Sequence, residues 1–159
     1  MKYQQLLNTY AGGVEALDSK LRGLTGREYD YRPHRDDAWT IKEHIIHLVD
    51  SEVNGFIRCK SIIAQPGSEC YVMDEDVWTK NIRRKDEDIY KYIRLFGLVR
   101  TIVCDLVKDE PEENWRGDYF IRKYKGETVQ VTLEKCIEIY CNHLQFHLEY
   151  IDAILAELG

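Results

Sequence analysis

Four long stretches of this chain repeat apolar residues at spacings of three and four, and no other feature constrains the fold as strongly. That period lays an apolar stripe along one face of an α-helix. Four such helices in one short chain bury their stripes against each other, so the pattern predicts an all-α four-helix bundle. The first stretch runs from about Tyr3 to Leu24, with Leu6, Leu7, Tyr10, Val14, Leu17 and Leu21 on its stripe. Gly12 and Gly13 interrupt it and cost roughly 1 kcal/mol each; a close approach of another helix would explain them. The second runs from Thr40 to about Ala64. Thr40-Ile41-Lys42-Glu43 reads as a capping box, with Trp39 placed as a staple before it, and Gln65-Pro66-Gly67-Ser68 ends the helix.

The third stretch spans about Asp86 to Lys108, with Ile89, Tyr92 or Ile93, Phe96, Val99 or Arg100, Val103 and Leu106 as its core stripe, and Pro111 beyond its end. The fourth runs from Leu133 to Leu158, capped by Thr132. The connections are long. Residues 25–38 are rich in Gly, Arg and Asp and include Pro33, residues 74–79 suggest a short helix, and the mixed charges of Lys80 to Asp88 read as a solvated helix entry. Around Lys125-Gly126 the period changes to two, which predicts a minor β-hairpin over about 119–131. The whole of 1–159 reads as a single domain.

Composition narrows the function classes. Hydrophobic residues at 44% and charged residues at 31% are a globular balance. The net charge of −6 is spread along the chain, so the basic footprint of a nucleic-acid binder is missing and no nucleic-acid partner is expected. No apolar run approaches the 18 residues of a membrane span, and the N-terminus leads into an amphipathic stretch instead of a signal-peptide core. The five cysteines include no Cys-x-x-Cys pair, which points to reduced thiols, mostly packed in the core, and to a cytoplasmic protein.

The histidines carry the chemistry. In the fourth helix His143 and His147 lie four residues apart and fall among Leu133, Cys136, Tyr140, Leu144, Ile151 and Ile154 on the apolar side of the wheel. Two imidazoles aimed at a core need partners for their nitrogens. They are either a pair of metal ligands or core-edge histidines bonded to nearby groups. In the second helix His47 sits on a polar stripe with Glu43, Asp50, Ser51, Asn54 and Arg58. That stripe faces either water, which periodicity alone favours, or a polar cleft in which His47 meets the pair. His44, beside it, reads as a surface histidine ahead of a group that supports a ligand or carries a proton, and His34 has no role.

Trp39-Thr40-Ile41-Lys42-Glu43-His44-Ile45-Ile46-His47-Leu48-Val49-Asp50 resembles the second-helix motif of the DinB/YfiT-like superfamily, and Asn142-His143-Leu144-Gln145-Phe146-His147 resembles its late His-x-x-x-His. The resemblance covers nearly the whole chain. It implies a four-helix bundle, a homodimer, and a divalent metal on three histidines, by position His47, His143 and His147. Imidazole ligands suit zinc or nickel. Three neutral ligands leave coordination positions open, as catalytic sites do, so a bound water would be acidified or a bound thiol ionised. The family includes thiol-cofactor S-transferases, isomerases and metal-dependent hydrolases. The expectation is therefore an enzyme acting on a small-molecule substrate, with a low-molecular-weight thiol as cofactor placed ahead of hydrolysis; a non-catalytic bundle that binds a small molecule is the alternative. Glu43 and Asp50 are each either a carboxylate that orients a ligand imidazole or a solvated acid. Tyr140 either lends a hydroxyl to the site or packs, and Cys136 packs.

Overall fold

The computed structural model describes residues 3–82 and 86–159. Arg83, Arg84 and Lys85, the middle of the expected charged helix entry, lie outside the described residues, as do Met1 and Lys2. The chain folds as α1 (Gln4–Leu21), α2 (Gly26–Asp30), α3 (Ile41–Ala64), α4 (Glu75–Asn81), α5 (Ile89–Val107), α6 (Glu112–Gly117), β1 (Tyr119–Tyr124), β2 (Glu127–Thr132) and α7 (Leu133–Leu158). The four long helices are those the periodicity predicts. α3 packs against α5 and α7, and α1 packs against the same two, so α1 and α3 share one diagonal of the bundle and α5 and α7 the other.

The ends of the elements follow from local chemistry. The Thr40 hydroxyl accepts from Glu43 N–H, and the Glu43 carboxylate returns a bond to Thr40 N–H, which starts α3. The Thr132 hydroxyl accepts from Lys135 N–H and starts α7. Two short helices were not expected. α2 lies within the connection read as irregular, yet it opens on a second capping box, Thr25 with Glu28. α6 follows Pro111 and buries Trp115 against Tyr3, their rings stacked 4.3 Å apart. At five and six residues, neither is long enough to show a helical period.

The hairpin pairs Tyr119 with Thr132 through Tyr124 with Glu127. Its turn places both Lys125 (φ 49°) and Gly126 (φ 82°) in left-handed backbone, the geometry that closes two-residue hairpins. Residues 67–70 run beside β1 and bond to Tyr119 and Ile121. Alternation along β1 sends Phe120 inward, 2% exposed, and places Arg122 and Tyr124 on the same face.

The bundle interior is not wholly apolar. Arg100 on α5 and Glu52 on α3 are both buried and bonded to each other. Arg100 also donates to the carbonyls of Tyr10 on α1 and Tyr140 on α7, while the Tyr10 hydroxyl donates to Glu52 over 2.7 Å. The close approach expected near Gly12-Gly13 occurs at Gly13: a Cβ there would stand 2.6 Å from Leu144 Cδ2 and would also collide with the Arg100 guanidinium. Gly12 faces open space. Gly55 makes room for the Tyr140 ring in the same way. Among the described residues no helix is long and apolar enough to cross a membrane.

Candidate metal centre

α3 brings His47 to the seam where α7 presents His143 and His147 one turn apart. His47 Nε2 lies 2.9 Å from His143 Nε2, and His147 Nε2 lies 3.0 Å from the same atom. The ligand atoms of all three histidines fall within 4.8 Å of one another. The polar stripe on α3 therefore faces a cleft, not open water, and His47 is only 6% exposed. Burial pushes all three imidazoles down from their ordinary value: His47 to about 3, His143 to about 4 and His147 to about 2. Neighbouring histidines add to the shift at His47 and His147, and the Arg100 charge adds to it at His143. Near neutral pH the three rings are neutral and offer lone pairs.

The donors fit a divalent cation. Two imidazole nitrogens about 2.05 Å from a tetrahedral metal stand roughly 3.3 Å apart, so the His47–His143 and His143–His147 pairs need to open by only a few tenths of an ångström. The buried Nδ1 of His143 has no hydrogen-bond partner, which leaves it as the protonated nitrogen once Nε2 is the donor.

His44 corrects the sequence reading. It is 4% exposed, not a surface residue, because Trp39 and Tyr150 cover it. Its Nδ1 lies 2.8 Å from Nδ1 of His147. If His147 offers Nε2 as a lone pair, its proton sits on Nδ1 and is donated to His44. His44 thus holds the tautomer and tilt of His147, a part that the sequence left open for Glu43 or Asp50. Neither acid takes that part. Glu43 is engaged by the Thr40 cap and by a bidentate bond from Arg32, and Asp50 lines a separate cavity with Ile46 and Trp78. Trp39 does more than staple the helix: its ring packs against His44, His47 and His147.

Two clefts open onto the histidines. The larger, about 560 Å³, is lined by Trp39, His44, Phe146 and Tyr150. The smaller, about 240 Å³, is lined by Ser51, Asn54, Arg58 and Arg122. His47, His143 and Glu75 line both. Ser51, Asn54 and Arg58 belong to the polar stripe already visible around His47. Glu75 and Arg122 were not foreseen, because each lies in a connection and no helical wheel relates it to α3. Tyr140 both packs and contributes: its ring fills the space over Gly55, and its hydroxyl accepts from Arg58 over 2.8 Å. Cys136 packs as expected, buried 4.0 Å from Cys59 Sγ. His34 stays in its loop, its backbone N–H on Glu157.

The sequence model of the DinB superfamily matches residues 12–151 of the chain. Relatives include Bacillus subtilis YfiT, provisionally named a metal-dependent hydrolase, which is 23% identical over 92% of this chain and 82% of its own length. A second, from Oceanobacillus iheyensis and with the same provisional description, is 24% identical over 94% of this chain and 86% of its own. The solved structure of Bacillus subtilis YfiT, described as a probable metal-dependent hydrolase with an unusual four-helix bundle topology, superposes with a TM-score of 0.84. It covers 98% of this chain and 86% of that one at 22% identity, a likeness of fold.

Proposed function

The chain belongs to the DinB superfamily, and on that premise we propose that it is a divalent-metal-dependent hydrolase of small soluble molecules, its metal held by His47, His143 and His147. The observation that carries this reading is the convergence of three neutral imidazole nitrogens at the meeting point of two clefts. The provisional names of the relatives support hydrolysis ahead of thiol transfer. Zinc and nickel both suit the donor set.

A cation on three neutral ligands supplies an electrophilic centre with positions left for substrate. The chain's own residues do the rest. His44 fixes the His147 ring. Trp39 shields one side of the cluster from water. Glu75, on the first turn of α4, is the carboxylate common to both clefts, and it is placed to take the proton released by an attacking nucleophile.

The test is metal content by elemental analysis on untagged protein, followed by turnover of an ester and amide panel with and without added thiols. We expect near-stoichiometric metal and metal-dependent hydrolysis without thiol. Turnover that appears only with bacillithiol, mycothiol, glutathione or coenzyme A would move the reading to thiol transfer. A metal-free protein with an intact fold would leave a binding module.

A further inference from the structure

We propose that the smaller cleft is an oxyanion subsite in which Arg122 and Arg58 hold a carboxylate or phosphate group of the substrate. The identity of the molecule as substrate rests on the hydrolase reading; the anion site itself does not.

The argument starts from arginines that lack a counter-charge. A guanidinium stays protonated in proteins and is costly to withdraw from water without an acceptor. Arg100, the fully buried arginine, obeys that rule by pairing with Glu52. The two arginines of the cleft do not. Arg58 donates only to neutral oxygens, the Tyr140 hydroxyl and the Tyr71 carbonyl, and its Nε is buried without a partner. Arg122 is half-buried, and among the described residues it has no hydrogen bond or ion pair; its Nε is likewise buried and unpartnered.

The hairpin explains how Arg122 reaches this place. Phe120 anchors the inner face of β1, with the Arg58 guanidinium 5.4 Å from its ring centre. Arg122 follows two residues later on that face and so lies over the polar stripe of α3. Glu75 is the acid that also lines the cleft, and it carries no ion pair to either arginine among the described residues. Two fixed cations against one carboxylate leave the cleft net positive, in a chain whose overall charge is −6. Its volume of about 240 Å³ suits a small head group with its reacting atom at His47 and His143. The larger cleft, walled by Trp39, Phe146 and Tyr150, would take the rest of the molecule. A guanidinium binds a carboxylate or phosphate group through two parallel N–H bonds.

The test uses metal-stripped full-length protein at pH 7.5, where the histidines are neutral and no cation competes for the probe. Acetate, inorganic phosphate and neutral acetamide are titrated while the arginine Nε–H signals are followed by nitrogen-15 NMR. We expect acetate or phosphate to shift two arginine Nε–H signals in a saturable way, and acetamide to shift neither. The tighter of the two anions assigns the head group. Arg122→Gln should weaken the anion at least tenfold with an unchanged circular-dichroism spectrum, and Arg122→Lys should fall between. His147→Gln, which removes a proposed metal ligand that lines only the larger cleft, should leave anion binding intact. Silence of both anions with the wild type, or equal affinity in Arg122→Gln, overturns the subsite. A wild-type protein that binds the anion but takes up no divalent metal would overturn the hydrolase reading alone.

Discussion

At the scale of single residues, the four clustered histidines differ in what each contributes. Replacing His47, His143 or His147 with Ala removes a donor and should abolish stoichiometric metal, measured by elemental analysis after dialysis. His44→Ala keeps all three donors but releases Nδ1 of His147. Losses of 10–100-fold in metal affinity are typical when such a supporting group is removed. A chelator-competition titration that finds His44→Ala within twofold of wild type would refute the positioning role. The three-histidine cluster was legible because His143 and His147 share a face by spacing and a family motif places His47. The role of His44 was not, since the covering of its ring by Trp39 and Tyr150 is a tertiary fact. Asp50 carries a separate prediction. Burial raises its carboxyl from 3.8 to about 6, so the folded state holds that proton more tightly than the unfolded chain. The resulting stabilisation is complete below about pH 3.8 and disappears as pH rises through 6. Asp50→Asn, uncharged throughout, should therefore gain stability relative to wild type between pH 4 and pH 7, read by denaturant titration at several pH values. A constant difference between the two proteins would mean that the carboxyl is not buried as described.

At the scale of elements, the sequence specified what repeats and hid what does not. The limits of α7 and the Thr40 cap of α3 follow from period and capping chemistry. α2 was legible in principle, because Thr25-Gly26-Arg27-Glu28 carries the same cap signature as Thr40-Ile41-Lys42-Glu43; it was missed for want of a periodic run behind it. The adjacent glycines of α1 show where sequence stops. Identical in the chain, they are opposite in the fold, Gly12 open and Gly13 pressed against Leu144 and Arg100. Gly12→Ala should stabilise by up to about 1 kcal/mol through helix propensity. Gly13→Ala should cost about 1–3 kcal/mol, because its methyl displaces packed neighbours. Thermal unfolding of the two variants side by side checks both signs, and a stabilised Gly13→Ala would mean that α1 sits farther from α5 and α7 than the structure has it.

At the scale of the whole molecule, one buried polar junction joins the four long helices. Arg100 from α5 meets Glu52 from α3, the Tyr10 carbonyl from α1 and the Tyr140 carbonyl from α7. It lies where two apolar clusters meet, one around Trp115 and Phe120 and the other around Ile41 and Ile151. Burial pushes the Glu52 carboxyl up, against the pull of Arg100 and the Tyr10 hydroxyl. The junction also bears on the metal centre. It links α3 to α7 through Arg100, and His47 on α3 meets His143 on α7 across the same pair of helices. Sequence reading could place Arg100 on the α5 stripe but could not pair it, because Glu52 lies 48 residues away. Glu52→Ala leaves a buried guanidinium without its counter-charge, and breaking such pairs costs about 3–5 kcal/mol. The loss should not be confined to stability. Metal affinity of the folded fraction should fall as well, although Glu52 touches no ligand. Denaturant unfolding and chelator competition on the same sample separate the two effects. A large loss of stability with unchanged metal affinity would show that the junction braces the bundle without setting the spacing of the histidines.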